Sequence, residues 1–379
     1  MPLTTDIDSA EVFLVVDVHN VVRTAEETRG PVAGFKTKAH GYPTGAVYLS
    51  LRRIIACAKH FGLNSGKKIC LAFADQENKG ARLKMYPKYK EGRVHKEYGI
   101  FEVVSYVGKD QERQCDPVRD FMEFVELIPS IHIVMKKPWE TDDALASFAK
   151  QVSKRNKSAI FYILTRDRDL WSEQRKRVVI TSGPDKDFTI ADLQHAYGIT
   201  NPRLLPLAKA LFGDDSDKLK KAVPRVTVEN VPEGILDLVK IRKGIPLSQS
   251  FEEMLAKHKK QIAGTSLELC LGKSEAIQKM IDIIRLRRNL DLLLVKNVGN
   301  IEKMKKLAAW YEFNSMPKAI DQLFTEEALV VPKKGQRRKR VSMCAGKRSA
   351  DKEVHKKESQ VVIDTTLAGR FTTRRGAIK

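Results

Sequence analysis

The sequence predicts an α/β fold in which a parallel β-sheet is flanked by helices. Short apolar runs rich in β-branched residues occur at residues 12–16, 68–73, 131–135, 159–164 and 178–181, and helical patterns separate most of them. Such runs are typical of strands that are buried on both faces of a parallel sheet. Several runs are followed directly by a carboxylate, at the sheet edge where open α/β proteins bind their ligands.

The first strand ends beside Asp17, which is either a turn former or a functional carboxylate. Residues 21–43 contain glycines and prolines and are predicted to be irregular. Helical periodicity over residues 44–61 leads to the second strand, and Asp75 lies just beyond its end. The first two strands therefore repeat one pattern, an apolar run followed by a carboxylate.

A basic segment lies between the second strand and the next helix, which is predicted at residues 117–127. Residues 79–98 carry seven lysines or arginines and three tyrosines. Basic side chains interleaved with aromatic rings suit phosphates and stacked bases, and a solvated surface helix is the plain alternative. Residues 99–115 are ambiguous, with a candidate strand at 101–107.

Five carboxylates stand at the next two element boundaries. Glu140, Asp142 and Asp143 open an apolar helix, and Asp167 and Asp169 follow the fourth strand. Glu140 and Asp143 share one face of the helix's first turn because they are three residues apart, whereas Asp142 points elsewhere. Helix capping explains either group alone, since acidic residues favour a first turn. Together they indicate a divalent-metal site, because hard cations prefer oxygen ligands.

After residue 183 the pattern becomes mostly helical. Short helices are predicted at residues 190–197 and 202–212, and a long amphipathic helix at 277–294. Gly213-Asp214-Asp-Ser-Asp217 places two acids three residues apart, after a glycine that allows a sharp turn; an acidic helix cap is the alternative. Three lysines that suit phosphate binding follow at once: Lys218, Lys220 and Lys221.

Composition restricts the class of protein. The chain has 379 residues and a formal net charge of +21, to which residues 333–379 contribute 15 Lys+Arg and 4 Asp+Glu, or +11. This excess predicts a polyanionic partner, nucleic acid first, and a disordered basic tail. Five scattered cysteines without a CxxC pair indicate reduced thiols in a cytoplasm-like compartment. No secretion signal or membrane span is predicted.

The candidate carboxylates are Asp17, Asp75, Glu140, Asp142, Asp143, Asp167, Asp169, Asp214 and Asp217. If they converge, their like charges repel, and protonation or cations must relieve the repulsion. Two divalent ions about 4 Å apart would do so, and would clamp an in-line displacement at phosphorus. The sequence contains neither a Walker A loop nor a nucleophilic Ser/His/Asp set.

Six segments carry a family resemblance: Leu14-Val-Val-Asp17, Ala72-Phe-Ala-Asp75, Arg82 with Tyr86-Pro-Lys-Tyr89-Lys90-Glu-Gly-Arg93, Glu140-Thr-Asp142-Asp143, Thr165-Arg-Asp167-Arg-Asp169-Leu, and Gly213-Asp214-Asp-Ser-Asp217. In this order they resemble the structure-specific 5′-nucleases, which include flap endonucleases and the 5′-nuclease domain of bacterial DNA polymerase I. The stand-alone bacteriophage members are the most similar. The resemblance covers roughly residues 11–232, with a weaker helical continuation to about 325.

The resemblance implies three regions. Residues 1–182 would form a PIN-like catalytic domain with a parallel sheet and a helical arch at about 79–115. Residues 183–332 would form a helix–three-turn–helix region, a helix–hairpin–helix-type DNA grip, followed by a helical C-terminal part. Residues 333–379 would be the basic tail.

It also implies two Mg²⁺ or Mn²⁺ ions and a role for each site residue. The ligands of the water-activating ion would be Asp17, Asp75, Glu140 and Asp142. The ligands of the second ion would be Asp167, Asp169, Asp214 and Asp217, with Asp143 acting through water. The groups that hold the scissile phosphate would be Lys90 and Arg93, with Arg82 at the base of the arch. Tyr89 would stack on an unpaired nucleotide. DNA contacts would come from Tyr86, Lys218, Lys220, Lys221 and Arg225.

The implied function is a 5′→3′ exonuclease and flap endonuclease that removes RNA primers or flaps during DNA replication. Its substrates would be 5′-flap, nicked or RNA/DNA hybrid duplexes, and it would act as a monomer beside partners such as single-strand-binding protein or a sliding clamp. The hairpin after Asp217 reads Ala222-Val-Pro-Arg225 where the family has glycines, which leaves a K⁺ site there open. Two alternatives remain: a nuclease-inactive DNA-binding scaffold, and a PIN-type ribonuclease.

Overall fold

The computed structural model describes residues 5–62, 66–74, 80–91, 99–104, 110–129, 131–136, 138–215 and 217–324. Asp75, Arg93 and the predicted tail at 333–379 lie outside the described residues, and the predicted arch is described only in part. The described residues fall within one compact unit. No helix among them is both long enough and apolar enough to cross a membrane.

The predicted α/β sheet is confirmed. The strands are β1 (Val12–Asp17), β2 (Ile69–Ala74), β3 (Ile100–Val104), β4 (Asp110–Gln114), β5 (His132–Met135), β6 (Ile160–Leu164), β7 (Val178–Thr181) and β8 (Leu293–Lys296). Six of them form one sheet in the order β7-β6-β1-β2-β5-β8, in which the neighbours from β7 to β5 are parallel. The candidate strand in residues 101–107 is β3, which pairs antiparallel with β4 in a separate sheet.

The helices are α1 (Thr5–Ser9), α2 (Val18–Glu27), α3 (Gly45–Phe61), α4 (Gly80–Met85), α5 (Pro117–Leu127), α6 (Thr141–Arg155), α7 (Ile190–Tyr197), α8 (Leu205–Phe212), α9 (Leu247–Lys257), α10 (Lys259–Ile262), α11 (Ser274–Ile284), α12 (Ile301–Trp310) and α13 (Met316–Phe324). Short 3-10 helices connect several of them, including one at Asp169–Glu173.

A hydrophobic core lies on each face of the sheet. Phe13 and Val15 of β1 belong to one core, which also contains α6 and most of the helices after β7. The alternate residues Val12, Leu14 and Val16 belong to the other, which contains α2, α3, α5, α12 and α13. Successive side chains of a strand point to opposite faces, so β1 is buried on both sides, as its apolar run predicts.

The prediction that residues 21–43 are irregular is wrong at their start, because α2 occupies Val18–Glu27. The Asp17 side chain caps this helix by accepting a hydrogen bond from the Asn20 amide at 3.1 Å. Val18, Val21, Val22 and Ala25 are buried at helical spacing. The helix begins at the residue directly after the strand, which leaves no turn signal between the two elements.

The prediction of one helix over residues 277–294 is also wrong. The helix α11 ends at Ile284, and β8 then pairs antiparallel with β5 at the edge of the otherwise parallel sheet. Between them, the backbone amide of Arg287 donates to Asp143 Oδ1 at 2.8 Å. An amide inside a helix would be occupied by a carbonyl four residues earlier, so this contact requires a break in the helix.

Candidate metal centre and its surroundings

Carboxylates from separate segments meet at the carboxyl ends of the parallel strands. Asp17 ends β1, Asp167 and Asp169 follow its parallel neighbour β6, and Asp142 lies in the first turn of α6. Oxygen atoms of Asp142, Asp167 and Asp169 lie within 4.8 Å of one another. Parallel pairing places these acids together because it brings the carboxyl ends of neighbouring strands to one edge.

A second group shares Asp169 with the first. Oxygen atoms of Asp169, Asp214 and Asp217 also lie within 4.8 Å of one another. Gly213 ends α8 at φ +80°, and a Cβ there would lie 3.2 Å from the carbonyl oxygen of Leu219. Glycine is therefore required where the chain turns back, and this turn brings the two later acids to the sheet edge.

We call these six residues the acid cluster: Asp17, Asp142, Asp167, Asp169, Asp214 and Asp217. The Thr165 hydroxyl organises it by donating to Asp17 Oδ2 at 2.9 Å and accepting from the Asp167 amide at 3.0 Å. The Asp169 amide in turn donates to Asp167 Oδ1 at 2.9 Å. Hydrogen bonds of this kind hold carboxylates in place while leaving other oxygen lone pairs for a cation.

Four carboxyls of the acid cluster have raised pKa values: those of Asp17, Asp142, Asp167 and Asp217. Burial and, to a lesser extent, the charge of Asp167 raise the pKa of Asp17 to about 6. Burial raises the pKa of Asp217 to about 7, and burial with the charges of Asp167 and Asp17 raises that of Asp142 well above its usual range. A divalent cation would relieve this repulsion, because it favours the ionised carboxylates. The donor set, carboxylate oxygens alone, fits a hard cation such as Mg²⁺ or Mn²⁺.

Lys209 is a central residue that sequence reasoning missed. Its side chain is 3% exposed, and its ammonium group contacts both Asp169 and Asp214, the latter at 2.5 Å. It therefore offsets part of the negative charge where the two groups of acids meet. The available signal was a lone lysine within the apolar helix α8, since buried lysines are rare without a partner.

The two other acids of the α6 first turn face a different environment. The buried guanidinium of Arg82 contacts Glu140 and donates to Asp143 Oδ1 at 3.0 Å. Lys90 Nζ donates to Glu140 at 2.7 Å, and the Tyr89 hydroxyl donates to the same carboxylate at 2.9 Å. We call these five residues the ion-pair cluster. Burial alone would raise the pKa of Glu140, but Lys90 and Arg82 hold it below its usual value.

Lys90 links the two clusters. Its ammonium lies 3.7 Å from Asp217 Oδ1, and its amide donates to the Asp217 carbonyl at 3.0 Å. Its φ of 54° is uncommon for a residue other than glycine, and such strain is found most often at functional sites. Tyr89 is buried beneath it, with the Lys90 ammonium 4.9 Å from the ring centroid. The predicted stacking of Tyr89 on a nucleotide stays a prediction.

The predicted DNA contacts come together in part. Tyr86 and the three lysines Lys218, Lys220 and Lys221 line one cavity of about 510 Å³ beside Gly213. We call it the basic pocket. Arg225 does not line it; this residue is exposed at φ 70°, in the hairpin where the 5′-nucleases have glycines. Lys218, at φ 57°, also adopts the left-handed conformation.

Comparison with known proteins gives one family match. Residues 13–198 match the family model described as the 5′-3′ exonuclease, N-terminal resolvase-like domain. No curated protein sequence matches the chain.

Solved structures with a similar fold include three nucleases. Human GEN1 in complex with Holliday junction DNA is 15% identical over 84% of this chain and 73% of that one, with a TM-score of 0.48. Flap endonuclease-1 from Methanococcus jannaschii is 14% identical over 86% and 96%, with a TM-score of 0.43. A bacteriophage T5 5′-exonuclease structure with bound zinc is 13% identical over 83% and 100%, with a TM-score of 0.42.

Proposed function

Since the chain belongs to the 5′-nuclease family through its resolvase-like residues 13–198, we propose that it is a divalent-metal-dependent 5′→3′ exonuclease and flap endonuclease. The observation that carries this proposal is the convergence of four separate segments on the acid cluster. Two overlapping groups of three carboxylates share Asp169, which is the ligand arrangement expected for two neighbouring cations.

Bound divalent cations would lower the pKa of an attacking water and neutralise charge on the phosphate and the leaving oxygen. The first group of acids, Asp142, Asp167 and Asp169, would hold one ion, and Asp169, Asp214 and Asp217 the other. Asp17 lies beside the first group through Thr165. This division differs from the one that the resemblance implies, in which Glu140 and Asp142 serve one ion together. The role of Asp75 as a metal ligand stays a prediction. We expect the bound ion to be Mg²⁺.

The chain's own cations have a distinct task. Lys90 lies between Glu140 and Asp217 and would bind the scissile phosphate when a substrate enters, stabilising the charge that develops on it. Arg82 stays with Glu140 and Asp143 and would position Lys90 through Glu140, without touching the substrate. Arg93 is proposed to assist Lys90, as the resemblance implies.

The basic pocket supports the substrate class. Three of its lysines, Lys218, Lys220 and Lys221, follow Asp215 in the turn that holds Asp214 and Asp217, where the backbone of a nucleic acid strand would pass. We therefore propose a DNA duplex with a 5′ flap, nick or RNA/DNA hybrid end as the substrate, and primer or flap removal in DNA replication as the role. Single-strand-binding protein or a clamp as partner, a monomeric state, a cytoplasmic location and a K⁺ ion at the hairpin stay predictions.

The test is cleavage of a 5′-labelled flap duplex with Mg²⁺, with Mn²⁺ and with EDTA, beside a blunt duplex and a single strand. We expect metal-dependent cuts near the flap junction. Tight flap binding without cleavage under either ion would favour a nuclease-inactive scaffold. Faster cleavage of structured RNA than of any DNA would favour a PIN-type ribonuclease.

A further inference from the structure

A cavity lined by arginines lies among the helices after β7 and shares no lining residue with the basic pocket. It has a volume of about 540 Å³. The lining residues that matter here are Arg203, Arg242, Arg285, Arg288, Ser250 and Asp282. We propose that this arginine cavity is a binding site for a phosphate group, supplied either by a terminal or free phosphate or by a nucleic acid backbone.

The charges of the cavity are only partly balanced. Arg242 is paired with Glu253, and Arg288 Nε donates to Glu173 at 2.5 Å. The guanidinium groups of Arg203 and Arg285, by contrast, form no ion pair with any carboxylate in the described part of the chain. Two arginines that line the same cavity could each form paired N–H···O bonds, which match the planar geometry with which guanidinium recognises phosphate.

The environment of Arg285 shows the excess of positive charge. Burial, together with the charges of Arg288, Arg287 and Arg203, holds the pKa of this guanidinium below its usual value. Asp282 acts in the opposite direction but does not cancel the effect. The Asp282 carboxylate also accepts a hydrogen bond from Gln278 at 2.8 Å, which occupies one of its oxygens. An anion in the cavity would relieve the repulsion among the arginines.

Ser250 provides an independent sign of a missing ligand. It is 3% exposed, and its hydroxyl has no hydrogen-bond partner within the described residues. A helical serine can donate to the carbonyl four residues earlier, as Ser50 does to Ala46 at 2.8 Å. Buried hydroxyls without partners are rare and call for an explanation. A phosphate oxygen in the cavity would supply the acceptor.

The start of α9 contributes to the same wall. Pro246 and Leu247 line the cavity, and Leu247 is the first residue of this eleven-residue helix. The partial positive charge at a helix start favours an anion and adds to that of the arginines. A buried hydroxyl without a partner, two guanidinium groups without an ion pair among the described residues and a helix start therefore indicate the same ligand chemistry.

The cavity is mechanically close to the acid cluster. Ser172 lines it, and Asp169 lies three residues earlier in the same 3-10 helix, which is one turn, or about 6 Å of rise. Pro206 lines it as well, and Lys209 lies three residues later in α8. A phosphate bound in the cavity would therefore hold two of the elements that place Asp169 and Lys209.

The first experiment measures orthophosphate binding to the full chain by calorimetry in EDTA, with chloride at matched ionic strength as the reference. EDTA makes the result independent of cleavage, so failure here leaves the proposed nuclease untouched. We expect saturable 1:1 binding that weakens at least tenfold in the double variant Arg203→Ala/Arg285→Ala. The matched control Lys279→Ala removes an exposed charge outside the cavity, from the helix α11 that Arg285 directly follows, and should bind like the wild type.

Ser250→Ala provides the second readout, because this change removes no existing hydrogen bond and should not lower the melting temperature. We expect it to weaken orthophosphate binding severalfold. The source of the phosphate is then found with two duplexes that differ only in a 5′-phosphate or a 5′-hydroxyl. A loss in the double variant confined to the 5′-phosphate duplex identifies a terminal phosphate, and an equal loss with both identifies the backbone. Equal orthophosphate affinity of the wild type, the double variant and Ser250→Ala would overturn the proposal.

Discussion

Glu140 and Asp142 lie in the same turn of α6, yet they belong to opposite electrostatic environments. Glu140 is surrounded by Arg82, Lys90 and a tyrosine hydroxyl, and its pKa lies below the usual value. Asp142 faces the carboxylates of Asp17 and Asp167, and its pKa lies well above it. The charges of the ion-pair cluster are thus balanced within the protein, whereas Lys209 and Lys90 balance only part of the charge of the acid cluster.

The difference shows that burial and acidity do not by themselves identify a metal ligand. Asp143 is fully buried and acidic, but its oxygens meet the Arg82 guanidinium and the Arg287 amide. The charge of Lys90 lowers the pKa of Asp142, but burial and the charges of Asp167 and Asp17 outweigh it. The charged groups that contact a carboxylate in the folded protein determine whether it forms a structural ion pair or is available as a metal ligand.

The largest effect is expected for Asp167→Asn, which removes a charge from the first group of acids, Asp142, Asp167 and Asp169. We expect cleavage of the flap duplex to fall on the order of 10³-fold, the loss typical of a missing electrostatic partner of the transition state. DNA binding should be retained, because the basic pocket is unchanged. Asp185→Asn is the matched control, since its side chain is 90% exposed. A fully active Asp167→Asn protein would show that this residue is not a required metal ligand.

A substitution in the ion-pair cluster should lower the stability of the fold, whereas one in the acid cluster should lower cleavage. Arg82→Met keeps the bulk of the side chain but leaves Glu140 and Asp143 buried without their shared cation. We expect the free energy of unfolding to drop by about 3–5 kcal/mol, as for other buried pairs that lose one partner. Denaturant titration measures the drop, and Lys84→Met, an exposed change in the same helix α4, serves as the control. Adding Glu140→Gln should recover part of the loss; unchanged stability of Arg82→Met would contradict the account.

Glu140 and the two acid-cluster residues Asp17 and Asp217 should also respond oppositely to pH in the absence of metal. The pKa values of Asp17 and Asp217 rise from 3.8 to about 6 and about 7 on folding, so the folded state binds extra protons between these values. The contribution of these two carboxyls to the free energy of unfolding is therefore fully present below about pH 4 and is lost as the pH rises to 7. For Asp17 alone the loss is on the order of 3 kcal/mol. Glu140, with its lowered pKa, acts in the other direction.

Thermal melting at pH 5 and pH 8, with EDTA or with Mg²⁺, measures this response. Mg²⁺ should stabilise the protein more at pH 8 than at pH 5, because it replaces the protons that the acid cluster has lost. Asp17→Asn should reduce the pH dependence in EDTA. Equal stabilisation by Mg²⁺ at both pH values would argue against cation binding by these acids.

The smallest effect is expected for Tyr89→Phe, which tests one hydrogen bond of the ion-pair cluster. This change removes the hydroxyl that donates to Glu140 at 2.9 Å and keeps the ring. We expect a stability loss of about 1 kcal/mol, the usual net value of one hydrogen bond. Flap cleavage should remain near the wild-type rate if the ring serves the substrate, and Tyr89→Ala should then lose far more. Tyr86→Phe, in the basic pocket, is the control for a lost tyrosine hydroxyl.

Local signals in the sequence predicted many elements to the residue. The helix α7 has a capping box between Thr189 and Asp192 and ends at Gly198 in the left-handed conformation. Asp116 caps α5, and Pro117 is its first residue. Capping and turn residues act within a few positions of the chain, so their effect can be read without knowing the rest of the fold.

Non-local contacts explain the misses. The strand β8 exists because β5 offers it a partner more than 150 residues earlier, and its sequence alone resembles the continuation of a helix. The break before it is stabilised by the Arg287 amide on Asp143. Such contacts depend on which segments meet in three dimensions, and tertiary pairing then overrides local helical preference.

The sequence by itself determined the parallel α/β sheet, the order of the acids along the chain and the family that their spacing resembles. Only the tertiary structure decided which acids face one another. It separated Asp142 from Glu140 and Asp143 and brought Lys209 to Asp169 and Asp214. It also placed Arg203 and Arg285 around one cavity, without an ion-pair partner among the described residues. The physical reason is that electrostatic roles depend on distances across the fold, and one turn of a helix directs adjacent side chains to different neighbours.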